Sequence, residues 1–170
     1  MKHFAYFPKI TYGQDQATDI LLRAKVRDMI KNSSVVYYPY TVRDGEKAET
    51  ISYKYYGNVD STWLIFYAND IFDPIWDWVL EYKEFTAFIE SKYGSIQNAH
   101  TQVHHYELTP NGLIIDEASY LDPNFGDVQK QIVSCYEYEQ RLNEAKREIK
   151  IIDVRYRDQI VNEMKRLFLS

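Results

Sequence analysis

Hydrophobic and polar positions follow several different rhythms along the chain. Between Thr18 and Lys31, the spacing Leu22–Val26–Met29–Ile30 puts one apolar stripe on a helix that Thr18 or Asp19 can cap. Ahead of it, Phe4, Tyr6, Phe7, Ile10 and Tyr12 have no helical period, and Pro8 and Gly13 interrupt them, so residues 1–17 read as an irregular aromatic arm. Val35–Tyr38 is β-prone, and Pro39 ends or edges that strand. From Tyr82 to Lys92, Phe85, Phe88 and Ile89 share a helix face, stopped by Tyr93-Gly94. Val103–Leu108 and Leu113–Ile115 flank a Thr-Pro-Asn-Gly turn and predict a β-hairpin. In the last third, Cys135, Tyr138, Leu142, Ala145, Ile149, Ile152 and Tyr156 recur at three- and four-residue steps behind Asp127, as on one long helix. The β-branched run Ile149–Ile152 before Asp153 equally predicts a break and a second helix over Val154–Phe168.

Residues 40–74 are the most informative segment. Tyr40-Thr41-Val42 predicts a strand, and Asp44-Gly45-Glu46 a turn whose glycine can take a positive φ. A helix from Glu49 or Thr50 places Ile51 and Tyr55 four apart and closes at Gly57. Asp60 or Ser61 can cap a second helix carrying Trp63, Leu64, Phe66 and Tyr67, which ends at Asn69, Asp70 and Pro74. A closing strand is expected near Trp78-Val79-Leu80. The fold class expected is therefore α+β: a small strand–helix–helix module over 40–80, an arm and helix over 1–39, a helix and hairpin over 81–126, and a long helix or helix pair over 127–170.

Composition narrows the function. Sixteen Tyr, eight Phe and three Trp stand among 170 residues, which suits a Tyr-rich core and equally suits surfaces buried on assembly. A net charge of −5 with no long basic run gives no general attraction to nucleic acid. The first residues lack the apolar run of a signal peptide, and no stretch approaches the ~20 apolar residues of a membrane span. A protein made and folded in a cytoplasm, with no membrane partner, is expected. The lone Cys135 excludes an internal disulfide and is expected to be a buried structural residue.

Catalytic chemistry finds little support. His104 and His105 are neighbours on a strand and should face opposite sides, while His3 and His100 have no completing ligand set. Asp70, Asp73, Asp77, Glu81 and Glu84 cluster, but turn and helix-stop chemistry accounts for Asp70 and Asp73 as well as a glycosidase pair would. No Gly-rich phosphate loop or nucleophile elbow occurs. No enzyme activity, metal or cofactor is expected.

Residues 40–69 resemble a LysM module: Tyr40, Val42, Gly45, Ile51, Tyr55, Tyr56, Gly57, Trp63, Ala68 and Asn69 follow that pattern in order. The usual Pro-Gly closing segment is replaced by Phe72-Asp73-Pro74-Ile75-Trp76-Asp77-Trp78, so peptidoglycan binding is not expected to follow from the likeness. The Tyr-Gly-Asn helix end, Asn69-Asp70, Asp73-Pro74, Trp76-x-Trp78 and the run Asn143–Ile152 resemble the baseplate wedge subunit of contractile-tailed phages, the gene product fifty-three family. That resemblance implies a structural subunit of the virion tail baseplate, assembled in the host cytoplasm. It further implies contacts to other wedge and hub proteins, several copies per ring, and a LysM-like module used for protein binding. Its expected core is Tyr40, Val42, Gly45, Ile51, Tyr55, Gly57 and Trp63. The expected interface residues are Phe4, Tyr6, Phe7, Tyr12, Asp44, Asn69, Phe72, Trp76 and Trp78. The alternatives are a peptidoglycan-binding LysM protein and a non-structural tail-assembly chaperone.

Overall fold

The computed structural model describes residues 7–20, 36–109, 111–123 and 129–169. The helix expected over 18–31, the positions of Phe4 and Tyr6, and the cap expected at Asp127 fall wholly or largely outside them. The chain forms two compact units, the first built from residues 1–78 and 147–170 and the second from residues 79–146.

The first unit opens with a β-hairpin, β1 (Lys9–Tyr12) and β2 (Asp15–Thr18), turned at Gly13 with φ +65°. The described part of the arm expected to be irregular is therefore paired with itself over residues 9–18. Strand β3 (Tyr37–Thr41) leads through the Gly45 turn, at φ +69°, into α1 (Ala48–Tyr56). Left-handed Gly57 ends α1, and its N–H bonds to the Tyr53 carbonyl at 3.0 Å. Ser61, one of the two expected caps, holds the N-cap position of the next helix without a side-chain cap bond, and the cap bond ahead of it is made by Asn58. Its Oδ1 accepts the Ser61 N–H at 2.9 Å, and its Nδ2 bonds back to the Tyr56 carbonyl at 3.1 Å. A short 3-10 turn (Val59–Ser61) then enters α2 (Thr62–Ala68). Buried Ser52 locks this corner by donating to the Asn58 carbonyl at 2.8 Å.

The strand that pairs with β3 is β7 (Glu148–Ile152), antiparallel, with Tyr37 opposite Ile152 and Thr41 opposite Glu148. Residues 78–80, expected to close the module, form no strand. The reason lies in the side chains: Trp78 is buried and its Nε1 donates to the Glu46 carbonyl at 3.0 Å, while Leu80 is held elsewhere. Ile149 and Ile151 are buried on the sheet, Val42 is buried just after β3, and Ile51, Leu64 and Ile65 are buried on the helices. After β7, α7 (Val154–Leu169) begins. The C-terminal region thus breaks at Ile149–Ile152, where branched side chains fit a pleated strand better than a helix. Asp153 accepts the Arg155 N–H at 2.8 Å.

Both outer edges of this two-stranded sheet are blocked. Along β7, Asn69 covers Lys150 with an amide that accepts its N–H at 2.7 Å and donates to its carbonyl at 2.8 Å. Further along, the Tyr56 hydroxyl donates to the Ile152 carbonyl at 2.9 Å. On β3, Pro39 lies opposite Lys150 and has no N–H to offer a further strand.

The second unit holds α3 (Tyr82–Tyr93), α4 (Ile96–Thr101), the hairpin β4 (Val103–Leu108) and β5 (Leu113–Ile115), α5 (Glu117–Leu121), β6 (Lys130–Ser134) and α6 (Cys135–Ala145). Its sheet runs β5-β4-β6. Phe85, Ile89 and Ala99 form its buried core with Leu80, Phe88, Tyr93, Ile96 and Tyr136 around them. Ser134 caps α6 in a capping box with Glu137. The expected stripe Cys135–Tyr138–Leu142–Ala145 is displaced: Cys135, Glu139 and Asn143 are the buried positions, and Leu142 is exposed. The polar pair can go inside because it is satisfied there. Glu139 accepts from Lys92 at 2.7 Å and Tyr93 at 2.9 Å. Asn143 exchanges two bonds with the Leu80 backbone, at 2.8 and 3.0 Å, and so fastens together the two ends of the unit.

Candidate functional site

The turn between β3 and α1 is organised around Glu46. Its carboxylate accepts from Tyr40 Oη at 2.7 Å, from the Arg43 N–H at 3.2 Å, and from Lys54 Nζ. Burial pushes this carboxyl up, but the Lys54, Tyr40 and Arg43 hydrogen bonds outweigh it and hold Glu46 below its ordinary range. Tyr40 is pushed up to about 12, first by burial and then by Glu46. Arg147 closes the same end through the Val42 carbonyl at 3.3 Å and Asp44 at 3.2 Å. Asp44, expected at an interface, is thus engaged within its own unit, and Asn69 is occupied as the clamp on β7.

The expected core residues separate. Val42, Ile51 and Trp63 are buried, and Trp63 meets Tyr67 edge-on at 5.5 Å. Tyr40 is half-buried, while Gly45 and Gly57 hold exposed turns by their positive φ. Tyr55 departs from expectation: it is 45% exposed and lies edge-on to Tyr40 at 5.7 Å. The α1 face that α2 and the sheet cover carries Ile51, Ser52 and Tyr56, so Tyr55 is turned outward.

The expected interface residues separate too. Phe7 is buried, and in the hairpin that follows it the Pro8 carbonyl accepts the Asp19 N–H at 2.9 Å. Trp78 is buried, as described. Tyr12, Phe72 and Trp76 are exposed. Phe72 and Trp76 belong to one loop over residues 70–77. Asp77 Oδ2 accepts the Phe72 and Asp73 N–H groups, both at 2.9 Å. Asp73 Oδ1 accepts those of Ile75 at 2.9 Å and Trp76 at 3.2 Å, and the Asp73 carbonyl takes the Asp77 N–H at 2.8 Å. These carboxylates serve as turn acceptors, the local chemistry that favours Asp in loops. Ile75, not among the residues singled out from sequence, stands at the tip of this loop, 69% exposed. An isolated Ile after Pro carries no sequence signal that would have marked it.

In the second unit, buried Glu107 accepts from Gln131, from Arg141 at 2.9 and 3.1 Å, and stands 3.2 Å from His105 Nε2. The Gln131 hydrogen bond first, then Arg141 and His105, hold its carboxyl low against burial. His104 and His105 were expected on opposite sides, yet their Nδ1 atoms lie 2.7 Å apart. A register shift between Val103 and His105 brings the rings together. His104 also stacks on Tyr138 at 3.7 Å. Among the described residues, no group of three His, Cys, Asp or Glu could hold a metal ion, and no helix is long and apolar enough to cross a membrane. Cys135 is buried.

The described surface therefore offers exposed rings and fully used polar clusters. No curated protein matches the chain. A family model described as base plate wedge protein 53 matches residues 4–114, more than half of the chain. The chain belongs to the base plate wedge protein 53 family, a structural family of the phage baseplate.

Proposed function

We propose that this protein is a structural subunit of a contractile-tail baseplate wedge, joining neighbouring wedge proteins around the central hub in several copies per ring. The observation that carries this reading is the family match over residues 4–114. We further read β3, α1, α2 and β7 as a LysM-like module that binds protein. The strand–helix–helix–strand order and the antiparallel β3–β7 pair support that reading. So do the structural duties of two of its matching residues: Gly57 at the helix corner and Asn69 on the strand edge. The closing strand arrives late in sequence because residues 79–146 form the second unit before it. Exposed Tyr12 is the candidate anchor of the N-terminal segment, in place of the buried Phe7.

The test is complementation of a phage lacking this gene, followed by particle purification and electron cryo-microscopy. The expected result is density for the chain in the baseplate, between adjacent wedges. Assembly that needs the chain but leaves it out of finished particles would instead make it a chaperone. With Asp44 tied to Arg147 and Asn69 spent on β7, purified sacculi should show no saturable binding in a pull-down. Saturable binding lost on changing either residue would restore the peptidoglycan reading.

A further inference from the structure

Of the eight asparagines in the chain, Asn111 alone precedes glycine. Glycine has no Cβ to crowd its backbone nitrogen, so that nitrogen reaches the preceding side-chain amide more readily than any other residue's. The sequence therefore marks the tip of the β4–β5 hairpin as the place where a backbone nitrogen can attack Asn111 Cγ. The structure restrains both partners of that attack. The Gly112 N–H donates to the Leu108 carbonyl at 2.8 Å, which keeps the attacking nitrogen protonated and directed at that carbonyl. Asn111 Oδ1 accepts the Leu113 N–H at 3.1 Å, which holds the side chain along the backbone that follows it. Asn111 and Gly112 are both exposed, so water reaches them. Asp44-Gly45 is the chain's one Asp-Gly pair, and its carboxylate lies 3.2 Å from Arg147. A carboxylate resists such attack better than an amide does.

We propose that Asn111 is a deamidation site that the folded turn keeps closed, and that its isoaspartate product unpairs β5 from β4. When the Gly112–Leu108 hydrogen bond opens, the Gly112 N–H gives its proton to a base in solvent and the nitrogen attacks Asn111 Cγ. A C–N bond forms, the bond from Cγ to the side-chain nitrogen breaks, and that nitrogen leaves as ammonia with a proton from water. Water then adds to either carbonyl of the cyclic imide and opens it to aspartate or isoaspartate, with no oxidant or reductant. The two products differ in consequence. Aspartate keeps an oxygen where Oδ1 accepts the Leu113 N–H. Isoaspartate routes the main chain through the former side chain. That lengthens the chain by a carbon atom just before β5 and displaces the pairs Leu108–Leu113, Glu107–Ile114 and Tyr106–Ile115.

The full chain is aged in native buffer and in guanidinium chloride at one pH and temperature, and peptide mapping measures aspartate and isoaspartate at position 111. Hydrogen exchange of the native Gly112 amide is followed alongside, since exchange and attack need the same opening. Conversion should be about tenfold or more slower in the folded chain, by a factor that follows the Gly112 protection. Equal rates in the two conditions overturn the closed turn, as does a Gly112 amide that exchanges as in the unfolded chain. Absence of conversion in guanidinium chloride overturns the site itself. In aged native protein the isoaspartyl fraction should lose exchange protection across β5, whereas Asn111→Asp keeps it together with the wild-type melting curve. Native protection in the isoaspartyl fraction, or loss of β5 pairing in Asn111→Asp, overturns the assigned consequence.

Discussion

Asn69 is the place where a single side chain should most clearly hold the first unit closed. Its Nδ2 donates to the Ile65 and Lys150 carbonyls, both at 2.8 Å, and its Oδ1 accepts the Lys150 N–H at 2.7 Å. Two of these bonds join α2 to a strand 81 residues away. A net hydrogen bond contributes about 0.5–1.5 kcal/mol, so the pair amounts to about 1–3 kcal/mol. Lys150 lies at the surface, where water can replace the amide, which places Asn69→Ala near the lower half, about 1–2 kcal/mol. Asn69→Asp keeps the acceptor for the Lys150 N–H but turns a carboxylate oxygen toward two carbonyls. It should be no more stable than Asn69→Ala. Urea unfolding followed by tryptophan fluorescence reports this unit, because Trp63, Trp76 and Trp78 all lie in it. The midpoint should fall with an unchanged m value, and the Lys150 amide should exchange its hydrogen faster. An Asn69→Ala midpoint equal to wild type would refute the edge-clamp account, as would Asn69→Asp being the more stable of the two.

Other expectations follow from buried groups. Trp63→Ala should cost about 3–5 kcal/mol and give insoluble or unfolded protein; a soluble variant with an unchanged melting curve would remove Trp63 from the core. The Tyr37 hydroxyl is buried without a hydrogen-bond partner among the described residues, whereas the Tyr56 hydroxyl reaches the Ile152 carbonyl at 2.9 Å. Tyr37→Phe should therefore leave the melting temperature unchanged or raise it, while Tyr56→Phe lowers it by the equivalent of about 1 kcal/mol; the reverse order would contradict both assignments. Asp153, through its Arg155 hydrogen bonds above all, is held well below the ordinary carboxylate range, and Glu46 and Glu107 are held low as well. Groups depressed in the folded state contribute stability that is complete above the unfolded value of about 4 and is lost as pH falls through their folded values. Stability should be level near neutrality and decline below about pH 4–5, and Asp153→Asn should flatten that acid limb in a melting series.

Local features were legible from the chain because they depend on near neighbours. Gly57 and Gly94 stop helices through their own backbone freedom, and both adopt positive φ. The hairpin of residues 103–115 follows from two β-prone runs around a Thr-Pro-Asn-Gly turn. Ile149–Ile152 is a strand because branched side chains prefer that backbone. What pairs with what was a different matter. Sequence proximity placed the closing strand at residues 78–80, but β3 pairs with β7, on the far side of the second unit. No local rule encodes a partner so distant, since the cost of closing a loop grows only slowly with its length and the surface buried on pairing decides. The same holds for burial of polar residues. A periodic stripe marks apolar positions, so Glu139 and Asn143 looked like surface until Lys92, Tyr93 and Leu80 were found beside them. Phe7 and Trp78 look as suited to an interface as Phe72 and Trp76, because an aromatic ring has the same chemistry in either place. Only the tertiary structure, by supplying or withholding neighbours, decides which rings are core and which remain at the surface.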